Sequence, residues 1–295
     1  MSYEMIKYDK QGAVATVTLN RPEKYNTLRL EMIREMESAF REANQDDDIK
    51  VIVLEGAGDS FCGGFDFSGG LEHYENIKEE GYDPGVDIHF VTNHYLSYIP
   101  VFMGLWRGLK PTIAKVHGYC VGGGSELALC ADLVVASDDA RFGTPYARVW
   151  GCHLTGMWVY RLGLAKAKYY ALTGDWISGK EAADIELINF SYPLEELDAK
   201  VGELALKLTS IPTTQLISMK LIVNQAYDNM GLQGTQTLGP ILDGAMRNTP
   251  EGKQFVRDAL EGGVKSAVIK RDGPFDDYSQ GSPEDQPRLK SKLGL

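Results

Sequence analysis

A chain of 295 residues with 30 Lys and Arg against 41 Asp and Glu, and hence a net charge of −11, does not fit a basic nucleic-acid binder. Its 43% apolar and 24% charged composition is that of a globular protein long enough for a sizeable core, and nothing in it approaches the roughly 20 apolar residues of a membrane span. Four cysteines, Cys62, Cys120, Cys130 and Cys152, form no CxxC pair and no metal-ligand spacing with histidine, so they read as buried free thiols of a reducing compartment.

In chain order, the first strand is expected over Ala13–Leu19, an alternating β-branched run closed by Asn20-Arg21-Pro22. Thr27–Asn44 reads as an amphipathic helix, with Leu28, Met32, Met36 and Phe40 at fourfold spacing. Val51–Leu54 is the apolar run of a buried strand, and Glu55–Gly70 after it is a glycine-rich loop. Pro111–Val116 and Leu133–Ala136 are further strands, so strands alternate with helical stretches and the class is α/β. From Pro193 the pattern turns helical, over Leu194–Leu208, Thr213–Met230 and Pro250–Leu260. The expected organisation is a core over residues 1–192, a helical region over 193–275, and a polar tail without secondary structure over 276–295. The opening MSYEMIKYDKQG has no basic stretch leading into an apolar run, and the expected location is cytoplasmic.

Two loops carry candidate chemistry. Ser60–Phe67 follows the strand Val51–Leu54, and His117–Leu127 follows the strand ending at Val116 and leads into an apolar helix, Leu127–Ala131. A strand, glycine turn and helix in succession aim free backbone N–H groups at one point, and such donors suit a developing oxyanion. Glu126 lies three residues past Gly123, in the first helical turn, within reach of the same neighbourhood. The same residues also fit a tight helix start with Glu126 as a partner of the helix dipole. Neither loop has nucleotide-fingerprint spacing, and Asp66 reads as a turn or cap residue.

These loops resemble signatures of the enoyl-CoA hydratase/isomerase (crotonase) superfamily. Lys115–Asp132, KVHGYCVGGGSELALCAD, is similar to its V-x-G-x-x-x-G-G-G-x-E-L-x-x-x-C-D signature, and Ser60–Phe67 to its F-x-x-G-A-D-[IL] loop. LNRPEKYNTL at Leu19–Leu28, GLAKAKYYALTG at Gly163–Gly174 with Ile177-Ser178 and Glu181-Ala182, and Lys270–Phe275 resemble three more of its motifs, in the right order. The resemblance spans about residues 5–275. It implies a spiral of ββα units with a C-terminal helical region that builds trimers, often paired into hexamers. It also implies an acyl-CoA thioester as ligand, with coenzyme A as part of the substrate and no separate cofactor or metal. The thioester oxygen would sit between the backbone N–H groups of Phe65 and Gly123, with Glu126 as acid/base. Lys24 matches a position near the nucleotide phosphates, and Lys270 and Arg271 match a C-terminal basic pair that can reach a CoA, including that of a neighbouring subunit; each also fits a solvated surface cation.

Departures from the family pattern are informative. Hydratases of this kind carry a second glutamate in F-G-x-P-E, and here the segment reads Phe142-Gly143-Thr144-Pro145-Tyr146. A phenol with an ordinary pKa near 10 is a poor base, although it can donate a hydrogen bond. Tyr146 therefore either takes part in the chemistry or packs over the acyl chain. Downstream, Trp150, His153, Met157 and Trp158 replace small residues, and His153 is the candidate base among them. Phe65 stands where the family carries a small residue. The long segment Leu71–Lys110 holds His73, His89 and His94, and Val91–Trp106 reads as a helix that either packs in the core, the favoured reading, or lines an acyl pocket for a bulky group. The expected function is hydratase-type lyase activity on a 2-enoyl-CoA. The alternative is another enolate reaction of the fold: C–C hydrolysis, decarboxylation or isomerisation. A non-enzymatic RNA-binding role runs against the acidic charge and the retained Glu126.

Overall fold

The computed structural model describes residues 3–67 and 98–275. In chain order its strands are β1 (Ile6–Gln11), β2 (Val14–Leu19), β3 (Val51–Gly56), β4 (Thr112–Val116), β5 (Tyr119–Val121), β6 (Leu133–Ser137), β7 (Arg141–Gly143), β8 (Ile177–Ser178) and β9 (Phe190–Tyr192). The helices are α1 (Leu30–Gln45), α2 (Ile99–Arg107), α3 (Gly123–Ala128), α4 (Met157–Leu162), α5 (Leu164–Thr173), α6 (Gly179–Asp184), α7 (Leu194–Thr209), α8 (Thr213–Asn229), α9 (Leu232–Arg247), α10 (Pro250–Gly262) and α11 (Val264–Asp272).

The main sheet has the order β1-β2-β3-β4-β6-β9, parallel throughout except for the β1–β2 hairpin. A smaller sheet, β5-β7-β8, stands beside it. The apolar run in β3 is explained by burial on both faces. Ile52 and Leu54 enter the large core with α1, whereas Val51 and Val53 meet Leu197, Val201 and Ala205 of α7. Ile113 and Val135 face α7 in the same way, so the first helix after Pro193 forms a layer over the main sheet.

Helix α1 buries Met32, Ile33, Met36, Ala39, Phe40 and Ala43, an apolar stripe at helical spacing. It starts at Leu30 rather than Thr27 because Tyr25 and Asn26 hold left-handed backbone and Leu28 bridges to Phe65 in strand fashion. Strand β1 escapes sequence patterning because it is a mostly exposed edge strand, IKYDKQ, with Ile6 as its buried residue. Helix α9 escapes it because TQTLGP places Gly239 and Pro240 in its middle. Within the described residues, the expected helix over Val91–Trp106 is α2, and its Phe102, Met103 and Trp106 lie in the core. His73, His89, His94 and the tail 276–295 lie outside the described residues. Cys62, Cys120 and Cys130 are buried free thiols, and Cys152 is free and partly buried.

Candidate functional site

The two glycine loops are stitched side by side. Phe61 donates its N–H to His117 O at 2.7 Å, Cys62 to Tyr119 O at 2.8 Å, and Val121 to Cys62 O at 3.1 Å. This ladder brings Gly64 against Gly122 and Gly123: a Cβ on Gly64 would stand 3.1 Å from Val121 O and 3.7 Å from Gly123 N. Both Gly64 (φ 102°) and Gly122 (φ 54°) use backbone that favours glycine. Gly124 backs onto the first loop so closely that a Cβ would lie 2.5 Å from Cys62 O. Among the described residues, no protein acceptor takes the N–H of Phe65 or of Gly123. Gly123 opens α3, where the first N–H groups have no helical partner. The Phe65 ring lies over Gly123, where a Cβ would meet Phe65 Cε2 at 2.7 Å. It packs against Tyr98 and Phe102 at centroid distances of 4.9 and 6.4 Å, so its bulk forms an aromatic wall and leaves its N–H free.

One turn into α3, Glu126 is fully buried with both carboxylate oxygens occupied. Thr155 donates to Oε2 from its backbone N–H at 2.9 Å and from its hydroxyl at 2.5 Å. The Tyr146 hydroxyl donates to Oε1 at 2.7 Å, and His153 Nδ1 stands 3.4 Å from the same oxygen. Burial alone would push the carboxyl up, but the His153 imidazole and the two Thr155 donors outweigh it and hold Glu126 below the usual carboxylate value. Glu126 is thus ionised at neutral pH. Tyr146 shows the opposite trend: burial, then the charge of Glu126, pushes its phenol well above the ordinary value, so it stays a hydroxyl.

Each partner is held from behind. Tyr146 sits on the 3-10 helix Pro145–Arg148, whose Arg148 bonds Thr173 O and Gly174 O and pairs with buried Asp272 at 3.5 Å. His153 and Thr155 lie on an irregular segment between Gly151 and Gly156, both with positive φ. The imidazole stacks on Trp158 at 6.1 Å and 22°, and Trp158 Nε1 bonds Ser125 Oγ at 3.0 Å. Met157 and Trp158 are core residues, as their size suggests. From α9, Gln236 donates to Thr155 O at 3.0 Å and receives Arg107 at 3.3 Å. A charged carboxylate, a neutral phenol and an imidazole are thus joined at the helix that Gly123 opens, a set fit for proton transfer in a site with a developing oxyanion.

The model of the enoyl-CoA hydratase/isomerase family matches residues 9–238. The chain belongs to this family. A Mycobacterium tuberculosis protein named enoyl-CoA hydratase EchA13 is 33% identical over 255 residues, covering 78% of this chain and 76% of its own. The crystal structure of an enoyl-CoA hydratase from Mycobacterium smegmatis superposes with a TM-score of 0.87 at 37% identity, covering 93% of this chain and 95% of that one. That of an enoyl-CoA hydratase/isomerase from Xanthobacter autotrophicus Py2 gives 0.80 at 28% identity, covering 94% and 100%. The α/β fold is therefore the crotonase-type fold, and the chain is an enzyme of that family.

The sequence-derived site residues fall into two groups. Phe65 packs on Gly123, and Glu126, three residues further along the same helix, joins Tyr146 and His153. The cations lie elsewhere. Lys24 is exposed on the turn Pro22–Lys24, which is tied to the first loop through Gly63 N–H to Tyr25 O at 2.8 Å and through Asn26 to Ser60 O at 2.8 Å. Lys270 is exposed and paired with Asp258 at 2.8 Å, whereas Arg271 holds Asp272 through both Nε and Nη2. Asp66 pairs with Arg21 at 3.0 Å, a structural use. Thr155 and Gln236 were not legible as site residues, because neither belongs to a motif and their roles arise only when α9 packs on the 151–156 segment. Among the described residues, no three His, Cys, Asp or Glu side chains converge as metal ligands.

Proposed function

We propose that this enzyme adds water to, or removes it from, a 2-enoyl-CoA thioester through an enolate. The observation that carries the reading is the buried, ionised Glu126, linked to Tyr146 and His153 and three residues beyond the open N–H of Gly123. The thioester oxygen accepts from both N–H groups, which bind the enolate more strongly than the ground-state carbonyl, an effect worth about 3–4 kcal/mol for a single such donor. The Glu126–Tyr146–His153 unit handles the proton. Coenzyme A enters as part of the substrate, with its phosphates near Lys24, Lys270 and Arg271 and no further cofactor. Exposed Met219, Leu221, Ile222 and Val223 on α8, with Leu238 and Leu242 on α9, support assembly as a homotrimer or homohexamer. No helix among the described residues is long and apolar enough to cross a membrane, which is consistent with a cytoplasmic enzyme.

The test is loss of the enoyl-thioester ultraviolet band when the purified protein meets crotonyl-CoA. Glu126→Gln is expected to keep CoA-thioester binding and lower turnover by about 100-fold or more. Near-normal turnover in that variant contradicts the reading. One observation favours a second reading: Tyr146 stands where a second carboxylate would be, and Glu126 has no unoccupied oxygen. Blank-level activity on every enoyl-CoA would favour C–C hydrolysis, decarboxylation or isomerisation in the same oxyanion hole.

A further inference from the structure

The hydrogen bonds around Glu126 determine which nitrogen of His153 carries a proton. An ionised carboxylate only accepts, so the one proton of the Tyr146 hydroxyl points to Glu126 Oε1 at 2.7 Å. The phenol oxygen is then an acceptor toward His153 Nδ1, 2.7 Å away. Nδ1 must donate, and Glu126 Oε1 at 3.4 Å receives the same N–H at longer range. In the neutral ring, the other nitrogen, Nε2, is then left with a bare lone pair. It is buried, it has no hydrogen-bond partner among the described residues, and the side chain is only 10% exposed. A buried acceptor without a donor carries a free-energy cost and calls for an explanation.

We propose that His153 is the catalytic residue that exchanges the proton with the reacting water through Nε2, and that Tyr146 and Glu126 are positioning residues behind it. The donor that Nε2 lacks is then the O–H of water or of the 3-hydroxyacyl product. The water oxygen bonds to Cβ of the enoyl thioester as its proton passes to Nε2. The C=C electron pair moves through Cα to the carbonyl oxygen, giving an enolate between the Phe65 and Gly123 N–H groups. The imidazolium then returns a proton from Nε2 to Cα, where the enolate electron pair forms the new C–H bond. One water has been added and the ring is neutral again. During the step the extra positive charge on the ring faces Glu126 directly at 3.4 Å and through Tyr146. The indole of Trp158 stacks behind the ring. A single nitrogen delivering both the oxygen-side and the carbon-side proton does the work of two carboxylates, which fits a site where the second one is a tyrosine.

This inference rests on the hydration reading for the identity of the proton donor, but its core is a tautomer that can be read without turnover. Solid-state 15N NMR of histidine-labelled protein, with the His153 signals identified by their loss in His153→Gln, is expected to show a protonated Nδ1 and a bare Nε2. Adding 3-hydroxybutyryl-CoA is expected to move the Nε2 signal more than the Nδ1 signal. His153→Ala is expected to lose about 100- to 10,000-fold in kcat on crotonyl-CoA with little change in KM. Imidazoles added to that variant are expected to restore rate in proportion to their basicity, which mere filling of a gap would not do. Tyr146→Phe, which keeps the ring packed on Gly151, is expected to lower kcat and leave KM unchanged. A protonated Nε2 in the free protein, rescue independent of basicity, or an unchanged kcat in Tyr146→Phe would overturn the proposal. If the unaltered enzyme leaves crotonyl-CoA intact, the hydration reading fails, and the tautomer with its ligand-induced shift still decides the role of His153.

Discussion

At the scale of single residues, the carboxylate of Glu126 is the most heavily constrained group in the site. Gln at this position cannot reproduce the pattern, because one of its two ends must donate where Thr155 and Tyr146 already donate. Thr155→Val is a milder probe, since it deletes the hydroxyl donor and keeps the backbone one. Losing a donor to the ionised form raises the Glu126 pKa, so the acidic limb of the kcat/KM profile is expected to move to higher pH. An unmoved limb would show that the Thr155 hydroxyl does not hold the carboxylate. Stability follows the same sign. The folded-state pKa lies below the unfolded one, so the contribution is present above the unfolded value and is lost as pH falls through the folded value. Thermal denaturation of wild type and Glu126→Gln across acid pH is expected to show the gap between them shrinking as pH falls. Glu126, Tyr146 and His153 were legible in the sequence because they sit in or just after recognisable motifs. Thr155 was not, because a threonine in an irregular stretch carries no pattern.

At the scale of elements, close approach of backbones decides the geometry. The expected helix Leu127–Ala131 is in fact α3, Gly123–Ala128, which begins earlier because three glycines let it start against the first loop. Helix α9 could not be read from its composition, yet Gly239 is what seats it. A Cβ there would lie 2.6 Å from His153 O, and Gln236 one turn earlier bonds Thr155 O. Gly239→Ala is therefore expected to cost about 1–3 kcal/mol, as overpacking does, and to lower kcat by displacing His153 and Thr155. Melting temperature and single-turnover rate measured together check this. A stability loss with normal turnover would separate the helix from the site.

At the scale of the whole molecule, the α/β class and the two glycine loops that follow buried strands were legible from alternating apolar runs and glycine turns, whereas the order of the strands in the sheets was not. The layer that α7 makes over the main sheet was not legible either, because helical periodicity shows an apolar stripe and not what it covers. A net charge of −11 repels an anionic CoA ligand at long range, so local cations matter. Lys24, exposed and beside the first loop, is expected to raise KM for acyl-CoA about tenfold when changed to Ala, with kcat unchanged, as loss of a single charged contact implies. Steady-state kinetics at two ionic strengths test it, and an unaltered KM would remove Lys24 from the binding surface. Under the proposed function, this fold, with one carboxylate and a Tyr–His pair, hydrates an enoyl thioester. The most direct measurement is incubation of the enzyme with crotonyl-CoA and a bulkier 2-enoyl-CoA in 18O-water, followed by mass spectrometry of the product. The expectation is a 3-hydroxyacyl-CoA product with one 18O on C3, lost in Glu126→Gln. Unlabelled, unchanged thioester recovered from a protein that binds CoA would contradict it.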